Sequence, residues 1–487
     1  MGISENSRLL EAEAEIQSHS ATLPRELGIT DLIFAQLLLV MVPEFFGTAV
    51  KAGPAHGVLW VMAIGLFFIP QALVVSYLNR LMPLEGGVYE WARLAFSDRI
   101  GFLVAWNFWL NTTIQVSQIA LLVTTYLSYA LGPKAEWIAT NTTALFAASV
   151  LLIAGMVMVA RLGLSVGKWV SNAGSLFTLL TLVVLAGIPL LHHAGTTAQY
   201  HAFPLVRPAA TLFAFSVFSK MTFGALSGFE LLAIFAGESR NPARNLARSI
   251  VFTAPLIALL YILGTSSILN FVSPEAIDVI GPIPQALSLA FGGAGFVHVL
   301  VTAAILLLLT NYLCSYTLYF SLNTRLPMVA GWDHLLPRWF TVLHPKYRTP
   351  VNSTFFMGGV ALVASTAVLI GAGTQESFSL LQTWSWTFYG LVYVAMFAIP
   401  LFSAREKGLR PRWWLQLAAL SGLVVTLMFV VLSIFPIVGV TSRLGYSLKV
   451  AVVIVVANLA GWVVYGIGRR KAAEEVIQTP LRDVRQS

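Results

Sequence analysis

Long stretches of predominantly apolar residues recur along the whole chain and constrain its fold more than any other feature. Two of the clearest lie at residues 58–78 and 415–435. Each is close to the roughly 20 residues that an α-helix needs to cross a hydrocarbon layer. Only 10% of the 487 residues are charged, against about 25% in an ordinary soluble domain. The sequence therefore predicts a polytopic α-helical membrane protein.

Hydropathy predicts about twelve membrane spans, which we number helix 1 to helix 12. Lys and Arg concentrate in the loops on one side of the predicted spans. Because cytoplasmic loops carry an excess of these residues, we expect a multi-pass cell-membrane protein with both termini in the cytosol. The predicted spans are 28–52, 57–81, 97–131, 139–160, 166–191, 210–237, 246–271, 294–322, 352–372, 378–402, 414–437 and 444–468.

The net charge of +8 does not indicate a nucleic-acid partner, because the basic residues lie at span ends and act as orientation signals. Cys314 is the only cysteine, which excludes an intrachain disulfide and a multi-cysteine metal site. The sequence has no phosphate-binding glycine loop, zinc motif or nucleophile elbow. We therefore expect no enzyme, no cofactor and no metal.

Two of the predicted spans are interrupted by residues that break helices. Helix 1 has Pro43 and Glu44 in mid-span, and helix 6 has Gly224, Ser227 and Gly228. Paired interruptions in corresponding positions of two halves are typical of inverted-repeat transporters, although ordinary proline or glycine kinks are the alternative. The predicted organisation is an N-terminal tail at 1–24, a first repeat (helices 1–5) at 25–191, a second (helices 6–10) at 192–402, helices 11 and 12 at 403–470, and a C-terminal tail at 471–487.

Three connecting segments resemble signatures of the amino acid–polyamine–organocation transporter superfamily. After helix 2, MPLEGGVYEW at 82–91 resembles its P-x-x-G-G-x-Y-x-W segment. Around the end of helix 6, GFE at 228–230 and ESRNPAR at 238–244 resemble G-F-E…E-x-x-N-P-x-R. After helix 8, Arg325, Leu336-Pro337 and Thr349-Pro350 resemble the R…D-G-x-x-P…T-P loop, with Asp333-His334 in place of Asp-Gly.

The resemblance implies an all-α, leucine-transporter-type fold of two five-helix inverted repeats, with a central site at the breaks of helices 1 and 6. It also implies a secondary active permease of amino acids or related amines, working by alternating access as a proton-coupled carrier or an exchanger. The chain departs from the family where 41–47 reads MVPEFFG instead of a Gly-Ser-Gly-like break. A proline at this position looks like the polyamine-transporting branch. Lys168 is the only lysine of helix 5, at its end, so the lysine that some members use for proton coupling is absent.

Glu44 is the leading candidate for a functional group, because acidic residues within membrane spans are functional by default. Burial penalises its ionised form, which suits a proton carrier, and an ionised Glu44 favours a cationic amine over a substrate carboxylate. The alternative is a structural cap. Lys220 is predicted either to pair with Glu44 or to extend toward the outer interface. Glu230 is interpreted as a helix cap, and a gating role is the alternative.

Polar side chains line one face of helix 3 and one face of helix 8. The stripe on helix 3 holds Asn107, Asn111, Gln115 and Gln118, and that on helix 8 holds Asn311, Ser315 and Tyr319. They are interpreted as substrate contacts or as interhelical hydrogen bonds. The predicted substrate-binding residues are Met41, Val42, Pro43, Glu44, Phe45, Asn111, Gln115, Phe223, Gly224, Ser227, Gly228, Phe229, Asn311 and Tyr319; those predicted for proton coupling or gating are Glu44, Lys220 and Glu230.

Two other functions remain open from the sequence. One keeps the carrier but makes its substrate a polyamine or another cationic amine, which Glu44 and its aromatic neighbours favour. The other is a transporter-like membrane sensor that binds its ligand without moving it. The expected partners in either case are a small amino acid or amine, membrane lipid and protons.

Overall fold

A computed structural model of the chain describes residues 28–82, 87–162, 168–191, 203–231, 242–291, 296–324, 335–345, 347, 349–403 and 411–486. Part of each sequence motif lies outside these residues, including Pro83, Gly86, Arg240, Arg325 and Asp333. Within them the chain is helical, and an isolated antiparallel bridge between Leu343 and Pro350 is the extent of the strand pairing. The predicted all-α class is confirmed.

The helices follow the predicted spans closely. Helix 1 is divided into Ile29–Val40 and Phe45–Val50. The others are helix 2 at Gly53–Leu81, helix 3 at Asp98–Leu131, helix 4 at Thr142–Leu162, helix 5 at Lys168–Leu191, helix 6 at Leu212–Leu226, helix 7 at Pro242–Leu269, helix 8 at Phe296–Asn323, helix 9 at Val351–Leu369, helix 10 at Thr374–Ala398, helix 11 at Trp413–Leu432 and helix 12 at Arg443–Gln486. Shorter helices at Val88–Ala95 and Pro282–Phe291 lie in the connections.

Ten helices in the described part of the chain are long and apolar enough to cross a membrane. Helix 1 is absent from this set because its break leaves two pieces of 12 and 6 residues. Helix 5 contributes a shorter apolar stretch, Leu176–Pro189. The chain is thus a multi-pass membrane protein with about twelve helical segments, while the division into repeats and the cytosolic position of the termini stay predictions.

The break in helix 1 lies where the sequence predicts it. Its first half ends at Val40, and Met41 is extended, with φ −77° and ψ 102°. Pro43 has no backbone N–H to donate, so the helical hydrogen-bond pattern cannot continue through it. The second half begins at Phe45, directly after Glu44.

The break in helix 6 begins later than the sequence predicts. The helix continues through Gly224 to Leu226, and Ser227 is then extended with ψ 158°. Gly228 adopts φ +124°, a region that only glycine enters without strain. One turn of 3₁₀ helix at 229–231 follows. Gly224 is therefore helical, and its prediction as part of the unwound segment is wrong.

Gly224 instead brings the two broken helices together. A Cβ atom placed on it would lie 1.9 Å from the ring of Phe45, which begins the second half of helix 1. Only a residue without a side chain admits the ring at this position. The second half of helix 1 and the helix that ends at Leu226 therefore pack in direct contact next to both breaks.

Helix 2 and helix 3 are also irregular near the breaks. Helix 2 contains a π-helical turn at Ile64–Phe68, directly before Pro70, and such turns are frequent at functional sites. Helix 3 is interrupted at Gln118, where ψ is −2°. The amide side chains of Gln71 and Gln118, close to these irregularities, are both buried.

We expect Gly224→Ala to destabilise the protein and to abolish uptake, because the new methyl group displaces the Phe45 ring beside the helix 1 break. Overpacking of this kind costs about 1–3 kcal/mol, which thermal unfolding in detergent would detect as a lower Tm. Gly155→Ala on helix 4 is the matched control, since its added Cβ meets nothing within 4 Å. Equal melting of the two variants would contradict the packing argument.

Candidate functional site

Tyr261 on helix 7 forms hydrogen bonds with the backbone where helix 1 is interrupted. The Val42 N–H donates to the Tyr261 hydroxyl at 3.0 Å, and that hydroxyl donates to the Val42 carbonyl oxygen at 3.1 Å. The ring is fully buried and is stacked on Trp60, with 5.0 Å between ring centroids. A break inside a membrane is stable only when protein groups satisfy its backbone, and Tyr261 satisfies both polar groups of Val42.

Tyr393 on helix 10 and Gln71 on helix 2 form hydrogen bonds with the backbone where helix 6 is interrupted. The Gly228 N–H donates to the Tyr393 hydroxyl at 2.7 Å. In one amide orientation, the Gln71 nitrogen donates to the Leu226 carbonyl oxygen at 2.7 Å, and its oxygen accepts from the N–H groups of Gly228 and Phe229 at 3.2 Å each. The unwound segment is therefore satisfied by side chains of two other helices.

Glu44 lies at the centre of the site with only part of its hydrogen-bonding capacity used. Its side chain is 2% exposed. The Tyr316 hydroxyl donates to its Oε1 at 3.4 Å, while Oε2 has no hydrogen-bond partner in the described part of the chain. A buried carboxyl group with an unused oxygen is costly unless it binds a proton or a cation.

Three tyrosines surround Glu44. Tyr312 and Tyr316 lie one turn apart on helix 8, and Tyr126 of helix 3 meets Tyr312 edge-on with 5.3 Å between ring centroids. Among the described residues, the hydroxyl groups of Tyr126 and Tyr312 have no hydrogen-bond partner. Gln118 donates to the Tyr316 hydroxyl at 3.3 Å. Buried polar groups with unused hydrogen-bonding capacity therefore lie near the Glu44 carboxyl group.

Glu230 is bound much more tightly than Glu44. The hydroxyl groups of Tyr389 and Tyr393 on helix 10 each donate to one of its carboxylate oxygens. Glu230 directly follows the unwound segment, and these bonds connect that segment to helix 10. The contacts favour a structural role for Glu230, and its role in gating stays a prediction. Tyr319 lies near enough to both Glu44 and Glu230 to interact with both carboxyl groups.

Lys220 does not pair with Glu44 in this structure. Its ammonium group donates to the Phe435 carbonyl oxygen at 2.7 Å and lies 6.0 Å from the ring centroid of Tyr446. Phe435 follows the end of helix 11, where unpaired carbonyl groups and the helix dipole attract a cation. The predicted Glu44–Lys220 ion pair is therefore wrong for this structure. A gating role for Lys220 stays a prediction.

The predicted polar contacts on helices 3 and 8 make interhelical hydrogen bonds here. The Ser385 hydroxyl of helix 10 donates to the side-chain oxygen of Asn111 at 2.8 Å, and Asn311 donates to Thr178 of helix 5 at 2.7 Å. Asn107 reaches Asn458 of helix 12 at 2.8 Å. Gln115 is half-buried. Substrate contact by Asn111, Gln115 and Asn311 stays a prediction.

The predicted aromatic residues pack around the breaks. Phe45 meets Trp386 edge-on, with 4.9 Å between ring centroids. Phe223, one turn before the helix 6 break, stacks on Phe429 of helix 11 at 4.5 Å. Phe229 stacks on Phe68 of helix 2 at 4.9 Å. These rings enclose the unwound segments, while Met41 and Pro43 are buried within the helix 1 break.

Several central residues were missed by the sequence interpretation. Tyr312 and Tyr316 share a face with Tyr319, at spacings of four and three, and this spacing was available as a signal. Tyr389 and Tyr393 repeat the spacing of four on helix 10. No local sequence signal distinguishes Tyr261 or Gln71, because each is important through hydrogen bonds to backbone groups that are far away in the sequence.

A loop following helix 7 covers the second half of helix 1, on the side predicted to be outside. Asp278 accepts from the Tyr129 hydroxyl at 3.1 Å, from the Gln375 amide at 2.6 Å and from the Ile280 N–H at 2.9 Å. A Cβ on Gly47 would lie 2.8 Å from the Cα of Val279. Asp278 thus connects the loop to helices 3 and 10 by hydrogen bonds. It also lines a cavity of about 750 Å³.

The broken helices, the buried carboxyl group between them and the loop that covers them define a solute carrier of the broken-helix type. The fold matches a crystal structure of MhsT in complex with L-phenylalanine, with a TM-score of 0.60 at 15% identity, over 84% of this chain and 98% of that one. The leucine-transporter-type fold is therefore confirmed.

Residues 28–458 match the family described as amino acid permease, and the chain belongs to this family within the amino acid–polyamine–organocation superfamily. It is similar to the branched-chain amino acid permease BcaP of Bacillus subtilis, at 24% identity over 75% of this chain and 81% of that protein. It is also similar to a probable agmatine/putrescine antiporter, AguD of Lactococcus lactis, at 25% identity over 48% of this chain and 50% of that protein. The chain is a membrane transporter.

We expect Asp278→Ala to release the loop from Gly47 and to expose the second half of helix 1. Losing the two hydrogen bonds to helices 3 and 10, of about 1 kcal/mol each, would raise the open population at least about tenfold. The measurement is labelling of Thr48→Cys, in a Cys314→Ser background, by a membrane-impermeant thiol reagent, since Thr48 is buried. Glu275→Ala, an exposed carboxylate of the same loop, is the control. An unchanged labelling rate in Asp278→Ala would show that Asp278 does not hold the loop closed.

Proposed function

We propose that this permease carries small amines by alternating access, without catalysing a chemical change, and that Glu44 receives the ammonium group of the substrate. The observation that carries the proposal is the buried Glu44 carboxyl group at the helix 1 break, where Oε2 has no hydrogen-bond partner among the described residues. Relatives named for agmatine and putrescine or for branched-chain amino acids support a substrate with an amino group.

The surroundings of Glu44 favour a cation over an anion. The Tyr316 hydroxyl donates to it, Tyr126 and Tyr312 lie near enough to interact with it, and Lys220 is turned away toward helix 11. The aromatic faces nearby add a weak attraction for an ammonium group, of about 0.5–2 kcal/mol. A substrate carboxylate would instead face the negative charge of Glu44.

The same carboxyl group suggests how transport is coupled. Leaving an ionised carboxylate buried without a counter-charge costs several kcal/mol, so Glu44 holds either a proton or a cationic substrate. One carboxyl group cannot hold both at once. Because the two occupants exclude each other, the carrier exchanges a proton for an amine as it alternates between the two sides of the membrane.

We expect Glu44→Gln to lower amine uptake into proteoliposomes at least about tenfold, since a hydrogen bond to a charged group contributes about 1.5–3 kcal/mol. For the wild-type protein, uptake of labelled putrescine is expected to be faster when the vesicle interior is the more acidic side, because a proton leaves as the amine enters. The residual uptake of Glu44→Gln is expected to be independent of this gradient.

Glu136→Gln is the control, because Glu136 is an exposed carboxylate in a loop, and protein-free vesicles correct for passive accumulation of amines. Normal, gradient-dependent uptake by Glu44→Gln would refute the role of Glu44. Binding of amines by the wild-type protein with no uptake at any gradient would favour a sensor instead of a carrier.

A further inference from the structure

The geometry points to a substrate site that is closed to α-carboxylate groups, with Tyr261 as the residue that closes it at the helix 1 break. The substrate is then an amine that carries no carboxylate. This inference rests on the proposed function and narrows it, because the class of amines carried by the permease otherwise includes amino acids.

Broken helices can bind anions through their free backbone N–H groups. The first N–H groups of a helix have no partner within it, and they point toward whatever lies at the helix N-terminus. The positive end of the half-helix dipole adds to this attraction in transporters with discontinuous helices. A site that accepts a carboxylate by this route therefore needs unoccupied N–H groups at a break.

Apart from that of Glu44, the N–H groups at the helix 1 break are already in use. The Val42 N–H donates to Tyr261, and Pro43 has none. The Glu44 N–H belongs to the residue whose own buried carboxyl group lies at the break, so a substrate carboxylate that reached it would meet that negative charge. The next three N–H groups form short 3₁₀-type bonds to backbone carbonyl oxygens: Phe45 to Val42 at 3.1 Å, Phe46 to Pro43 at 3.2 Å and Gly47 to Glu44 at 3.0 Å.

The N–H groups at the helix 6 break are in use as well. Ser227 donates to the Phe223 carbonyl oxygen at 3.2 Å. Gly228 donates to Tyr393 at 2.7 Å, and Phe229 is within 3.2 Å of the Gln71 carboxamide oxygen. A carboxylate entering here would have to displace a buried side chain, and it would approach Glu230 as well as Glu44.

Tyr261 differs from Tyr393 and Gln71, which share the Gly228 N–H, because among the described residues the Val42 N–H has no partner other than the Tyr261 hydroxyl. Trp60 stacks on its ring, and Phe46 lies 4.9 Å away between ring centroids. The hydroxyl is therefore fixed by packing against Val42. Removing it frees the Val42 N–H, two residues before Glu44, whereas the Val42 carbonyl oxygen still accepts from the Phe45 N–H. Tyr261 is therefore a specificity-determining residue.

The test compares pairs of substrates that differ by one carboxylate: putrescine with ornithine, cadaverine with lysine, and agmatine with arginine. Uptake into proteoliposomes of the purified full-length protein is measured for both members of each pair. We expect the wild-type protein to prefer the amine by at least about a hundredfold, since sites with mismatched buried polar groups discriminate strongly. Tyr261→Phe is expected to reduce this ratio about tenfold, the equivalent of one hydrogen bond.

The readout is the ratio of amine uptake to amino acid uptake within each pair, and this ratio does not depend on the amount of folded protein. Tyr465→Phe is the matched control, because it removes a hydroxyl group from a buried tyrosine on helix 12, away from both breaks. Should Tyr261→Phe fail to fold, Tyr393→Phe tests the helix 6 break by the same uptake ratio. The uptake ratio of the wild-type protein by itself tests whether the site excludes carboxylates.

Equal transport of both members of the pairs by the wild-type protein would overturn the inference. An unchanged ratio in folded Tyr261→Phe would remove Tyr261 as its cause. Both results leave the proposed function intact as long as uptake depends on Glu44. A folded wild-type protein that carries neither amines nor amino acids would instead overturn the proposed function.

Discussion

The structure depends on the requirement that two interrupted helices have their backbone groups satisfied in the interior of a membrane protein. Water is scarce at this depth, and each unsatisfied group costs several kcal/mol. Tyr261 satisfies Val42 in helix 1, while Tyr393 and Gln71 satisfy the segment around Gly228 in helix 6. The breaks are thus stable because three side chains from helices 2, 7 and 10 complete them.

Two buried carboxyl groups that look alike in the sequence differ in how fully they are hydrogen-bonded in the structure. Glu230 is fully engaged by Tyr389 and Tyr393, so it strengthens the contact between the helix 6 break and helix 10. Glu44 retains an oxygen without a partner in the described part of the chain. A carboxyl group of the first kind stabilises a conformation, whereas one of the second kind can bind a proton or an ammonium group in turn.

The spans, the fold class and the helix 1 break were predictable because each follows from local chemistry. Apolar length determines which segments cross the membrane, and Pro43 in mid-span removes a backbone donor that the helix needs. Prediction failed where the result depends on packing. Gly224 is helical because the Phe45 ring fills the space beside it, and Lys220 reaches the end of helix 11 instead of Glu44.

The sequence by itself therefore determined that the chain is a multi-pass carrier of a known superfamily with an acid at a broken helix. The tertiary structure alone decided which groups complete that break and which remain available to a substrate. Val42 and Tyr261 are 219 residues apart, and Gly228 and Tyr393 are 165 apart. Contacts at such separations depend on how each helix is rotated against its neighbours, and no local pattern of residues encodes that rotation.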